Sequence, residues 1–296
     1  MYILSGYSYH TRQGPCLQLD EIDSQSTIRH HVPIWGSYIN INILANRYCI
    51  GGFDSVTKRA ISCPDKQKVS GKSLHCPSCS ASIQFNPAFY HVAPSQLSQQ
   101  QQSYNLQAHV VYLAYFGRDI IKVGIANEKR IRTRWLEQGA RAAVVLQRLQ
   151  DAYAARALEE YISATYNIPE RITIKQKLQS LHMPYYFEDA SIHLSACREA
   201  IYTDLNNLSV NDSIQDLQSD YFREKQPAPL YEASKEGQHT IAGYGLGMVG
   251  EILLYDQQGY CFIQPIKSLL GQAHIKLNQQ TVPFTVNIQT KLDLFG

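Results

Sequence analysis

Residues 109–135 read HVVYLAYFGRDIIKVGIANEKRIRTRW. Two apolar runs flank Gly117, the first interrupted by Tyr112 and the second by Lys122. Short runs rich in Val, Ile and aromatics read as strands, here Val110 to Tyr115 and Ile120 to Ile125, turning around Phe116-Gly117-Arg118. Pairing Tyr112 with Lys122 gathers Val111, Leu113, Ile121 and Val123 on one apolar face. A slip of one residue would place Tyr112 among the valines and Lys122 against Leu113. Burial therefore selects the first register. Tyr112 and Lys122 then stand side by side on the other face, which is either a working surface or simply turned to water.

Working outward, Lys129 to Gln138 reads as a helix. Asp151 to Tyr166 does so more strongly, because Ala154, Ala157, Leu158, Tyr161, Ile162 and Thr165 recur at helical spacing. Further helices fit Arg171 to Leu181 and Ala190 to Asn206. The polar tract PSQLSQQQQSYNLQ, residues 94–107, has no periodicity and reads as a linker. Before it, alternating runs such as SYININIL (37–44) are β-type. After about residue 209 the chain turns polar around Pro227 and Pro229, then returns to β-like alternation, with a turn at Gln258-Gly259. The expected class is α+β: a β-rich, zinc-bearing domain (1–94), a linker (95–107), an α/β centre (108–208) and a small β-rich C-terminal domain (209–296).

The chain of 296 residues is 44% apolar, as a soluble folded protein would be. No run approaches the ~20 apolar residues of a membrane helix, and the N-terminus lacks the pattern of a secretory signal, so a cytoplasmic residence is expected. The formal net charge is only +2. Between Gly117 and Arg148, however, lie Arg118, Lys122, Lys129, Arg130, Arg132, Arg134, Arg141 and Arg148 against Asp119, Glu128 and Glu137. Eight cations less three acids make +5 in one stretch and leave −3 elsewhere. Such a stripe is either a solvated face or the footprint of a phosphate-binding surface.

Four of the seven cysteines, Cys49, Cys63, Cys76 and Cys79, follow the spacing C-x13-C-x12-C-x2-C. Two thiolates two residues apart can both point at one ion, and the other pair would close a tetrahedral structural zinc site. His75 and His91 are substitute ligands in the same region. A redox C-x-x-C is disfavoured because Cys76-Pro77-Ser78-Cys79 lies among Pro, Ser and Gly, outside a βαβ context. Cys16, Cys197 and Cys261 are scattered and read as core residues.

The central segment resembles the GIY-YIG nucleases. Val110-Val111-Tyr112 is similar to the first triplet and Lys122-Val123-Gly124 to the second. An arginine-bearing helix follows, with Arg132 or Arg134 at the conserved position of that family, and then a helical glutamate, Glu159. The chain departs from the pattern where Lys122 replaces the second tyrosine, and Thr173 is the nearest counterpart of an asparagine many of those nucleases carry. Most of the chain also resembles a bacterial family of unknown function placed near those nucleases. That likeness rests on a cysteine-rich N-terminal region, the core VYLA…KVG…RW-x-x-QGA, and a G-x-x-G-E-x-L element at Gly247 to Leu253.

The resemblance implies hydrolysis of phosphodiesters in DNA or RNA. In that scheme Glu159 holds Mg²⁺ or Mn²⁺, an arginine grips the phosphate, and Tyr112 orients or deprotonates the attacking water. A cation beside Tyr112 would lower its pKa, and Lys122 is placed to do so. Lys129, Arg130 and Arg141 would contact nucleic acid, Arg141 alternatively capping helical carbonyls. Glu159 shares a helix face with Ala155 and Ile162, whereas Glu160 falls in line with Arg156 as an exposed i, i+4 pair. The other readings are a non-catalytic nucleic-acid-binding protein with a decayed nuclease site, and an enzyme for a small phosphorylated substrate.

Overall fold

The computed structural model describes all residues except 11–12, 24–27, 55–58, 72, 84, 87, 206–211, 233–239 and 277–296. The chain is a mixed α+β protein with seven α-helices among the described residues. It forms two compact units, Met1–Ile83 with Asp220–Gly296, and Gln84–Ser219.

The first unit begins with strands β1 (Tyr2–His10), β2 (Gly14–Glu21), β3 (Arg29–Pro33) and β4 (Tyr38–Ile43). The short pairs β5 (Arg47–Tyr48) with β8 (Lys68–Val69), and β6 (Gly52–Asp54) with β7 (Arg59–Ile61), follow, then helix α1 (Pro77–Ser82).

The second unit opens with helix α2 (Gln99–Asn105), inside the tract expected to be a linker. The helix forms because Ser98 caps it, accepting from Gln101 N. It packs because the buried Gln101 amide accepts from Asn86 N and donates to Asn86 O, both at 2.7 Å. A side-chain amide thus satisfies backbone that a periodicity argument cannot see.

Strands β9 (His109–Gly117) and β10 (Ile120–Asn127) form the expected hairpin, and α3 (Ile131–Gln138) the expected helix. Gly139 ends α3 in the left-handed region, φ 81°, as a C-cap requires. Next comes β11 (Ala142–Leu149), which pairs with the other side of β9. Helices α4 (Ala152–Tyr166), α5 (Ile174–Leu181) and α6 (Phe187–Asp204) and the short β12 (Gln215–Asp216) complete the unit. Asp151 caps α4 by accepting from Ala154 N at 2.7 Å. Thr173 caps α5 in a reciprocal box with Gln176, so it serves the helix and not a site.

The sheet order is β10-β9-β11-β12, and β9 is buried along its whole length. Val111, Leu113, Val123, Val144 and Leu146 face Ala155 and Ile162 of α4 and Ala190, Leu194 and Ile201 of α6. The apolar face therefore carries the residues expected of it. The register does not match. Tyr112 lies opposite Gly124, and Lys122 opposite Ala114, two residues away from the expected pairing, with a one-residue bulge at Ile120/Ile121 next to the turn. An even offset preserves the faces, since side chains alternate with period two.

After α7 (Gln218–Tyr221) the chain returns to the first unit as β13 (Leu230–Glu232), β14 (Thr240–Val249), β15 (Ile252–Gln257), β16 (Tyr260–Pro265) and β17 (Ala273–Ile275). These strands do not make a domain of their own. They join the N-terminal strands in one nine-stranded sheet, β13-β16-β15-β14-β4-β17-β1-β2-β3. Leu4, Leu17, Ile39, Ile41, Leu253, Tyr255 and Phe262 share its core. Neither half could bury its apolar face alone. At the β15/β16 turn, Gln258 and Gly259 both have positive φ, 54° and 82°, the form that matches strand twist in two-residue hairpins. The expected tail beyond residue 276 lies outside the described residues.

Candidate functional site

Cys49, Cys63, Cys76 and Cys79 are all buried, and their sulfurs lie within 4.8 Å of one another. Cys63 and Cys76 sulfurs are 3.9 Å apart, far beyond a disulfide bond and close to the ~3.8 Å edge of a tetrahedron with ~2.3 Å metal–sulfur bonds. Pro77 opens α1 between Cys76 and Cys79, so the C-x-x-C pair turns back on itself. Backbone N–H groups of Gly51 (3.4 Å) and Cys76 (3.2 Å) donate to Cys49 Sγ. Burial pushes the Cys49 thiol up to about 11 and Cys79 higher still. Those two groups favour the thiol unless a cation is present, and a bound divalent ion reverses that preference. At Cys76 burial is outweighed by hydrogen bonds from the neighbouring cysteines, which draw the pKa down. The donor set is that of a closed structural metal site. His75 is not part of it: its Nδ1 lies 2.7 Å from Gly51 O and braces the loop next to Cys49. His91 lies against Tyr90 with the two rings tilted by 56°, in the other unit.

The second constellation surrounds Tyr112, which is 0% exposed. The Gln138 amide joins it to Arg134. In the orientation that satisfies both partners, the amide oxygen accepts from Arg134 Nε (3.1 Å) and Nη2 (3.2 Å), and its nitrogen donates to the Tyr112 hydroxyl oxygen at 2.8 Å. Of the two arginines open at the expected position, it is Arg134 that reaches Tyr112. Trp135 packs edge-on against the Tyr112 ring at 6.0 Å, a core role. Lys122 Nζ lies 6.0 Å from the centre of the same ring. The ammonium donates to Glu170 O at 2.9 Å, where the segment after α4 runs beside β10.

The electrostatics differ from expectation. Burial raises the Tyr112 pKa well above the phenol range, and Arg134, not Lys122, is the main charge opposing that rise. Lys122 is not among the charges that act on the tyrosine, and burial and then Arg134 bring its own pKa down from 10.5 to about 8. Nor does this face look at water: Lys122 is only 7% exposed.

Glu159 is 6% exposed and lies on the packed side of α4, as its spacing predicts. Burial raises its pKa, against the pull of Arg156 and Lys122. Arg156 does not pair with Glu160. Its Nη1 donates to Glu159 Oε2 at 2.6 Å and to Glu170 Oε2 at 2.7 Å, bridging the two carboxylates. Among the described residues the four cysteines are the one group of three or more His, Cys, Asp or Glu side chains that converge on a point. Glu159 therefore has no cluster of acidic partners for Mg²⁺ or Mn²⁺, only Glu170 across Arg156.

The basic stripe is mostly consumed within the unit. Arg141 is buried and caps the end of α5, donating to Ser180 O (2.9 Å) and Met183 O (3.3 Å), with its guanidinium 4.5 Å over Tyr185. It serves carbonyls and cannot reach a phosphate. Arg130 pairs with Glu137 at 3.0 Å, and Arg148 with Glu128 and Asp212. Lys129 and Arg134 are exposed, and Arg132 is partly so on the same helix. Gln138, Arg156 and Glu170 were not foreseen. Gln138 was legible in principle, four residues after Arg134 on a helix and so on its face.

No helix among the described residues is long and apolar enough to cross a membrane. A family profile described as "Protein of unknown function (DUF2797)" matches residues 36–271. No curated protein and no solved structure matches the chain.

Proposed function

The chain belongs to the DUF2797 family, and for this member we propose a cytoplasmic, zinc-stabilised endonuclease of the GIY-YIG type that hydrolyses phosphodiesters in DNA or RNA. The observation that carries this reading is a convergence. Tyr112 of β9 and Arg134 of α3 are joined through Gln138, and Lys122 of β10 lies 6.0 Å from the Tyr112 ring. Arg134 and Glu159 of α4 both act electrostatically on Tyr112 and Lys122. An order of hairpin, arginine helix and glutamate helix also agrees with that layout.

In this scheme exposed Arg134 grips the phosphate with its planar fork. Tyr112, protonated at neutral pH, orients water or donates to a phosphate oxygen. Lys122, with a pKa near 8, is the better proton acceptor of the two. Glu159 and Glu170 offer the hard oxygens that Mg²⁺ or Mn²⁺ takes, and Arg156 now occupies the space between them. Such an ion would supply charge stabilisation at the phosphate. Zinc belongs on the four cysteines, where a closed thiolate set suits it.

The test is a cleavage assay with Mg²⁺ or Mn²⁺ over single- and double-stranded DNA and RNA. Loss of cutting in both Glu159→Ala and Tyr112→Phe is expected. Cutting that persists in both variants would refute the assignment. A second reading, a non-catalytic nucleic-acid-binding protein with a decayed site, is favoured by the complete burial of Tyr112. Binding without cutting by any metal-loaded sample would select it.

A further inference from the structure

A separate cluster of donors lies on the β1–β3 end of the nine-stranded sheet. Ser8 and His10 alternate onto one face of β1, and His31 comes from β3, two strands away. Their side chains meet across β2. His10 Nε2 is 3.4 Å from His31 Nδ1, and Ser8 Oγ is 3.1 Å from the first and 3.2 Å from the second. The two rings stand edge to face, with centroids 5.3 Å apart.

We propose that Ser8, His10 and His31 form a second metal site, for a divalent ion of the zinc class. With metal–donor bonds of about 2.0–2.1 Å in tetrahedral geometry, neighbouring donors lie about 3.3–3.4 Å apart. The three observed separations trace one face of such a tetrahedron, with the fourth corner left for water. Two ring nitrogens that face each other can share at most one proton, whereas a cation uses both lone pairs at once. Two imidazoles and a hydroxyl suit zinc, nickel or copper and give little to hard calcium or magnesium. Both histidines are exposed, so an ion from solution can enter. This open, three-donor form contrasts with the closed thiolate cluster and makes the site labile, able to accept a further ligand.

The test uses the full chain dialysed against a mild chelator, so that the thiolate-held ion stays, then titrated with Zn²⁺ in a calorimeter. One labile equivalent per chain is expected. His10→Ala and His31→Ala should each weaken it roughly tenfold or more, since even partners one shell further out cost 10–100-fold. His30→Ala, a neighbour whose ring packs on Tyr2, should leave it unchanged. Because His10 is exposed, its variant keeps the fold and carries the test alone if His31→Ala disturbs the edge strand. A wild type that takes no labile zinc, or a double variant that binds it as tightly as wild type, would overturn the site.

Discussion

The Tyr112 ring lies across Gly124 on the neighbouring strand, so closely that a Cβ there would fall 2.6 Å from the Tyr112 hydroxyl and ring carbon. Gly124 has no positive φ, so its role is space and not backbone freedom. Gly124→Ala should destabilise the protein by about 1–3 kcal/mol, the usual cost of overpacking. Pairing it with Tyr112→Leu should recover part of that loss. Denaturant melts of the two single variants and the double variant would measure the coupling.

Lys122 predicts a pH signature. Its folded pKa, about 8, lies below its ordinary 10.5, so between those values the unfolded chain binds more protons. Stability from this group is therefore lowest below about pH 8 and rises as pH climbs towards 10.5. A drop of that size, at about 1.4 kcal/mol per pH unit, is on the order of 3 kcal/mol. Lys122→Met should lack the rise, so wild type should gain on the variant between pH 8 and 10. Parallel melting curves for the two proteins across that range would contradict the assignment.

Zinc should be found at about one tightly held ion per chain after mild chelation. Cys76→Ser or Cys79→Ser should lower the melting temperature more than Cys197→Ser, because a closed site contributes to the stability of its own unit. Elemental analysis and thermal melts decide this, and a well-folded preparation with no zinc would exclude it.

Arg156 stands where a hard dication would sit, between Glu159 and Glu170. Arg156→Gln should leave Glu159 buried beside an uncompensated neighbour and lower stability in metal-free buffer. Adding Mg²⁺ should raise the melting temperature of the variant and leave wild type nearly unchanged. Equal responses in both would mean that these carboxylates do not hold the ion.

Nucleic-acid binding should fall as salt rises, since each phosphate contact releases counterions. With Lys129, Arg132 and Arg134 as the surface cations, the logarithmic slope should be about −2 to −3. Arg134→Ala should flatten it by about one. Arg141→Ala should leave the slope alone and lower the melting temperature, because Arg141 is spent on Ser180 and Met183 carbonyls. A filter-binding series in increasing salt separates the two variants.

The sequence by itself determined what repeats locally. Alternation in Val111, Leu113 and Val123 placed the apolar face, helical spacing put Glu159 on the packed side of its helix, and a C-x-x-C pair announced the sulfur cluster. Periodicity carries that information because a strand or helix repeats it every few residues. It could not reveal β11, since the run AAVVL has no alternation once both faces are buried. It also could not fix the hairpin offset, because a slip of two residues leaves the same side chains on the apolar face. Only the tertiary structure decided that strands some 200 residues apart share one sheet. It alone gave Arg156 to Glu159, Arg141 to the end of α5, and a buried setting to Tyr112 and Lys122. Those outcomes depend on which surfaces meet, and desolvation and pairing act only after they have met.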